Sequence, residues 1–114
     1  MKNLTIKNLT EVCSGTYYGP ETVMDREVSS ITTDSRKIEK DSLFVPIVGE
    51  RVDAHRFIPD VMSKGALVTL SERELENADF PYIQVESSLQ AVKDIAEFYR
   101  STLSIKIIGI TGSV

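Results

Sequence analysis

The apolar positions change period several times along the chain, and each change marks an element. Ile6, Leu9, Val12 and Cys13 recur at helical spacing, with Thr5 placed to cap the segment and Gly15 to stop it. Thr16-Tyr17-Tyr18 predicts a short strand running into the Gly19-Pro20 turn. Val28 to Thr33, β-branched and partly alternating, predicts a second strand, and Asp34-Ser35-Arg36-Lys37 after it has the turn-formers and charge of a loop. Leu43-Phe44-Val45-Pro46-Ile47-Val48 is a near-continuous apolar run, as in a strand buried on both faces, with Pro46 marking an edge or a bulge.

A polar loop from Gly49 to His55 follows. Phe57, Ile58, Val61 and Met62 then mark one face of a helix with Pro59 in its first turn and Gly65 at its end. Ala66 to Leu70 predicts the next strand, Ser71 to Pro81 an acidic loop, and Tyr82 to Val85 another strand. Ser87 and Gln90 stand at capping-box spacing ahead of Leu89, Val92, Ile95, Ala96 and Tyr99, an amphipathic helix of about four turns. Ile105 to Ile110 predicts a last apolar strand, left without a sheet of its own and so expected to fray, to pack on its own domain or to find another chain. Strands and helices in this alternation indicate the α/β class.

Composition narrows what the chain does. Its 114 residues, 41% hydrophobic and 26% charged, suit a globular domain, and a formal net charge of −4 gives no basic field for nucleic acid or an anionic membrane. An anionic ligand must therefore be held by a few local groups. No stretch approaches the roughly 20 apolar residues of a membrane span, and the first residues lack a signal-peptide core. Cys13 is the only cysteine, which excludes an internal disulfide and suits a reducing compartment, so the cytoplasm is expected. One histidine and one cysteine argue against a protein zinc site.

Three places carry candidate chemistry. The strand running into Gly109-Ile110-Thr111-Gly112-Ser113-Val114 has the start of a phosphate-cradling loop, in which glycines let backbone N–H groups turn toward a phosphate. A tight turn after a buried strand looks the same. Gly49 to Phe57 joins the strongest strand to a helix, where Asp53 is placed as a cap and Arg51, His55 and Arg56 are donors suited to a phosphate or a base edge. On these residues alone a solvated connection with a helix cap is the simpler reading. Thr33-Asp34-Ser35-Arg36 also follows a strand, and the Ser35 hydroxyl serves as donor or acceptor for a small ring, although an Asx turn with an exposed arginine has the same sequence. His55 has no partner identifiable from sequence. Cys13 lies on an apolar helix face and reads as core, not nucleophile.

Three stretches together resemble the Mur ligase family, in order and spacing: Thr33-Asp34-Ser35-Arg36-Lys37, then Leu43-Phe44-Val45-Pro46 with Gly49-Glu50-Arg51-Val52-Asp53-Ala54-His55-Arg56-Phe57, and finally Gly109 to Val114. The G-E-R-x-D-A-H string is the most specific, and it points to the branch that adds D-alanyl-D-alanine to UDP-N-acetylmuramoyl-tripeptide. The branch that adds the third peptide residue shares the T-D-S-R turn, so it remains an alternative, as does a self-contained binding module with no ATPase domain.

The resemblance implies a small mixed-sheet domain with helices packed on the sheet. Residues 1–86 are then the UDP-precursor-binding domain, 87–104 a connecting helix and 105–114 the truncated start of a central ATPase domain. Uridine recognition falls to Thr33, Ser35, Glu50, Arg51 and Val52, and the start of the ATP loop to Thr111, Gly112, Ser113 and Val114. ATP and Mg²⁺ belong to the full-length enzyme, whose lysine, metal ligands and carbamylated lysine are implied to lie beyond Val114. This stretch alone is expected to bind no cofactor, to lack catalytic residues and to be a monomer.

Overall fold

The computed structural model describes residues 4–48, 53–75 and 78–110, of which 101–110 are described in backbone only. Helix α1 spans Ile6–Val12, and the Thr5 hydroxyl accepts from the Asn8 N–H at 3.1 Å to cap it. Strand β1 is Thr16–Tyr18, β2 Ile31–Thr32, β3 Leu43–Phe44, β4 Val68–Ser71 and β5 Tyr82–Gln84. Helix α2 covers Ile58–Ser63 and α3 Ser88–Ile110. The sheet order is β1-β5-β4-β3-β2, with β2 to β5 mutually parallel and β1 antiparallel at the edge. This is the mixed sheet that the family resemblance implies.

The register explains the two cores. Across the sheet Leu43 pairs with Val68 and Leu70 with Ile83, and this face carries Ile6 and Leu9 of α1 and Ala91 and Ile95 of α3. One residue along, Phe44 pairs with Thr69 and Thr69 with Tyr82, and this face receives Ile58 and Val61 of α2. Alternation of side chains thus sorts the apolar residues into two layers. Tyr82 continues the second face to the edge strand, where it stacks on Tyr18 at 4.9 Å between ring centroids. Cys13 is buried beside Ala91, and burial, then the charge of Asp94, pushes its thiol up to about 12, as befits a core residue.

Several boundaries differ from the sequence expectation. The apolar run Leu43–Val48 pairs as strand only at Leu43–Phe44 and breaks off before Pro46, which has no N–H to give to a ladder. A 3-10 turn, Ala54–Phe57, precedes α2, whose Pro59 sits in the first turn as expected. The expected strand 105–110 is helical instead, because α3 continues without interruption to Ile110. Extending an existing helix satisfies each backbone N–H within the segment at no nucleation cost, whereas a strand needs a neighbouring edge. Among the described residues no helix is long and apolar enough to cross a membrane.

Gly15 does more than end α1. The left-handed residue there is Ser14, with φ 55°, whereas a Cβ on Gly15 would lie 2.6 Å from Ile83 Cγ2 and 2.8 Å from the Gln84 carbonyl oxygen. Gly15 is therefore needed for the close approach of the α1 terminus to β5. Gly15→Ala is expected to destabilise the fold by about 1–3 kcal/mol, the usual range for overpacking. Thermal unfolding followed by circular dichroism should show a fall of several degrees, and an unchanged midpoint would contradict the close approach.

Candidate functional site

The four parallel strands deliver their carboxyl ends to one side of the sheet, where loops collect ligands in α/β folds. Two of the following segments face each other there. Thr33, Asp34, Ser35 and Arg36 form one wall and Ala54 and Phe57 the other of a cleft of about 470 Å³.

The first wall is built by its own side chains. As β2 ends, the Thr32 hydroxyl oxygen accepts from the Asp34 N–H at 3.0 Å. Asp34 Oδ1 then accepts from the Arg36 N–H at 2.9 Å and caps the 3-10 turn Ser35–Lys37. The Arg36 guanidinium closes on the same carboxylate through Nε and Nη2, both at 3.1 Å. This guanidinium, followed by the Arg36 N–H, holds the Asp34 carboxyl below the usual carboxylate range. Lys64, beyond α2, donates to the Ser35 carbonyl at 3.3 Å and brings a second cation to the turn.

The second wall repeats the device. Val48 and Asp53 form an antiparallel bridge where the chain leaves and returns, and Asp53 Oδ1 accepts from the His55 N–H at 2.9 Å to cap the turn Ala54–Phe57. Nδ1 of His55 donates to that oxygen at 2.6 Å, while Nε2 accepts from the Glu72 N–H at 2.8 Å. With an N–H aimed at Nε2, the ring is the neutral tautomer carrying its proton on Nδ1. The His55 ring is buried, its side chain only 3% exposed, while the Asp53 carboxylate on one side of it is 37% exposed. Arg73 pairs with the other Asp53 oxygen. The His55 N–H foremost, then the His55 ring and Arg73, lowers Asp53 from 3.8 to about 2. Phe57 lines the cleft, with the Arg56 guanidinium 5.5 Å from its ring centroid.

Of the residues singled out by sequence, Thr33 and Ser35 lie in the cleft. Glu50, Arg51 and Val52, and likewise Thr111, Gly112, Ser113 and Val114, lie outside the described residues. The sequence reading did not assign Asp34, Arg36, Ala54 and Phe57 to a common site, nor could it see that His55 contacts Glu72. The available signal was an aspartate two residues ahead of a chain N–H, at Asp34-Ser35-Arg36 and again at Asp53-Ala54-His55. Among the described residues no cluster of three or more histidine, cysteine or acidic side chains could hold a metal ion, so no role for Mg²⁺ is derived from them.

The family described as "Mur ligase family, catalytic domain" matches residues 27–100. The chain is 33% identical over 111 residues to the UDP-N-acetylmuramoyl-tripeptide–D-alanyl-D-alanine ligase of Bacillus subtilis, covering 96% of this chain and 24% of that protein. It is 44% identical over 94 residues to the UDP-N-acetylmuramoyl-L-alanyl-D-glutamate–2,6-diaminopimelate ligase of Cytophaga hutchinsonii, covering 78% of this chain and 19% of that one. A crystal structure of MurF from Acinetobacter baumannii superposes with a TM-score of 0.74 at 28% identity, over 86% of this chain and 21% of that one. The chain thus spans about a quarter or less of the length of these relatives.

The capped turns set an acid limit. A folded Asp53 value lowered from 3.8 to about 2 means that its contribution is fully present above about pH 4 and is lost as pH falls toward 2. Asp34 is lowered in the same direction and contributes with the same sign. Thermal melts between pH 6 and pH 2 should therefore fall more steeply for the wild type than for Asp53→Asn, and be flattest for the double variant with Asp34→Asn. Equal slopes would show that the aspartates are not held as described.

Proposed function

The chain belongs to the Mur ligase family, and from that premise we propose that it is the precursor-binding part of a UDP-N-acetylmuramoyl-tripeptide–D-alanyl-D-alanine ligase (MurF). The cleft between Thr33–Arg36 and Ala54–Phe57 holds the UDP end of the substrate. The single observation that carries this reading is the meeting of these two walls at the carboxyl ends of the parallel strands. Phe57 offers a flat apolar face for a base, the Thr33 and Ser35 hydroxyls are suited to its polar edge, and Arg36, on exchanging Asp34 for the ligand, supplies positive charge for a phosphate in a chain of net charge −4, with Lys64 nearby on Asp60 and the Ser35 carbonyl. Glu50, Arg51 and Val52 complete the uridine contacts on this reading.

The complete enzyme is a cytoplasmic monomer that uses ATP to activate the precursor's peptide carboxylate for attack by D-alanyl-D-alanine, forming a peptide bond. Residues 105–114 begin its ATP-binding part, with Thr111, Gly112, Ser113 and Val114 as the first of the phosphate loop. By itself the 114-residue chain binds without catalysing.

One observation favours a second reading. The 44% identity to the diaminopimelate-adding ligase exceeds that to the B. subtilis relative, although over a shorter stretch. Supplying the complete enzyme with D-alanyl-D-alanine and, separately, with diaminopimelate distinguishes the two readings by which substrate is consumed.

Titration of the isotope-labelled chain with UDP should shift the amide resonances of Thr33 to Arg36 and of Ala54 to Phe57. Phe57→Ala should weaken binding by about tenfold, the value of one base–aromatic stacking contact. No shifts in either wall at millimolar UDP would refute the reading.

A further inference from the structure

The turn that forms the second wall of the cleft is held from far away in sequence. Asp53 Oδ1 accepts from His55 Nδ1 at 2.6 Å, His55 Nε2 accepts from the Glu72 N–H at 2.8 Å, and Glu72 Oε2 accepts from the Ser88 N–H at 2.7 Å. Ser88 is the first residue of α3, so Glu72 faces both ways: its backbone holds the cleft wall and its carboxylate holds a helix. The expected capping box supplies only one other bond there, from the Gln90 N–H to the Ser87 hydroxyl at 3.2 Å, while the Gln90 amide turns away to Asp94. The Ala54–Phe57 turn, the start of the loop after β4 and the first turn of α3 are thereby joined in series through Glu72, and the joint at the cleft end is a buried imidazole that donates at one nitrogen and accepts at the other. The charged groups around that ring are Asp53 and, behind it, Arg73 on one side, and Glu72 on the other.

This arrangement does more than fill space. A leucine or methionine would fill the volume, but neither transmits orientation. In the ring, by contrast, one rigid plane fixes the direction of both bonds, so a rotation of the Ala54–Phe57 turn must move the Glu72 backbone or break a bond to a buried ring. Movement of Glu72 in turn strains or frees the first turn of α3, whose Ala91 and Ile95 are anchored in the core. We infer that His55 is a positioning residue that couples occupancy of the cleft to the N-terminal turn of α3. The inference rests on the nucleotide-binding reading above. Coupling of this kind is reciprocal, so order imposed at the cleft wall appears at α3 and order at α3 favours the cleft.

Amide hydrogen exchange of the 114-residue chain with and without UDP tests it. UDP should slow exchange at Glu72 and Ser88 by about fivefold or more, the lower end of ordinary coupling between sites. Glu72→Ala removes only the last link and touches no cleft residue. In that variant UDP should still shift Thr33 to Arg36, but the response at Ser88 should vanish. Two further variants split the ring's two roles. His55→Gln keeps an acceptor near the Nε2 position and should retain the Ser88 response, whereas His55→Asn keeps only a donor toward Asp53 and should lose it; a residue that merely packs would not separate them. If either histidine variant fails to fold, Glu72→Ala decides alone. Binding of UDP without any change at Ser88, or a Ser88 response that survives Glu72→Ala, overturns the coupling and leaves the nucleotide site standing. Absence of shifts at Thr33 to Arg36 in the wild type overturns the nucleotide site itself, and the coupling with it.

Discussion

Val68 to Ser71 are four consecutive buried residues on the central strand of a sheet, and a strand buried on both faces must be covered on both. From this requirement most of the architecture follows. Val68 and Leu70 point to the layer of α1 and α3, while Thr69 and Ser71 point to the layer of α2 and the Ala54–Phe57 turn. The parallel neighbours β3 and β5 share the constraint, so each connection between them must climb over one face and return. All the exits fall at the same end. The cleft is what remains where two of these exits cannot close against each other.

The exits themselves raise a second requirement, since backbone N–H groups at the end of a short parallel strand lose their ladder partners. Asp34 meets it by accepting from the N–H two residues on and starting a 3-10 turn, and Asp53 does the same ahead of α2. Each aspartate is then balanced by an arginine, Arg36 locally and Arg73 from the loop after β4. Repetition of one local device, once just after β2 and once in the turn that leads into α2, gives the cleft two hydrogen-bonded walls from short, otherwise irregular segments.

What could be read in the sequence followed the range of the interactions. Helix α1, β1, β5 and the first turns of α3 are set by period and caps within a few residues, and they stand where the pattern puts them. Thr33 and Ser35 stand beside the cleft, but their assignment to uridine came from the family resemblance, since Thr33-Asp34-Ser35-Arg36 by itself reads as an Asx turn with an exposed arginine. The shortened β3 reflects a local fact, Pro46, whose consequence depends on neighbouring strands that the sequence does not display. The stretch 105–110 has strand-like composition, yet strand formation needs a free edge and helix formation needs only the helix before it. His55 is the clearest gap. Its partner across the ring is the backbone of Glu72, and a backbone N–H leaves no mark in the sequence by which to find it.

The electrostatics of the cleft also depend on how weakly one of its pairs is held. Arg36 is 86% exposed, and its fork on Asp34 lies in water, where such a pair adds little to stability and salt screens what it does add. Asp34 keeps its turn through the Arg36 N–H whether or not the guanidinium is present. On the proposed reading, the side chain can therefore leave the carboxylate for a phosphate without loosening the wall that carries it. Arg73 is placed differently, because Asp53 is also fixed by His55, so this second pair belongs to the bracket behind the cleft and not to its mouth. In an acidic chain, that leaves Arg36 the more exposed arginine at the mouth of the cleft, while Arg73, itself 55% exposed, sits on the aspartate that His55 also holds.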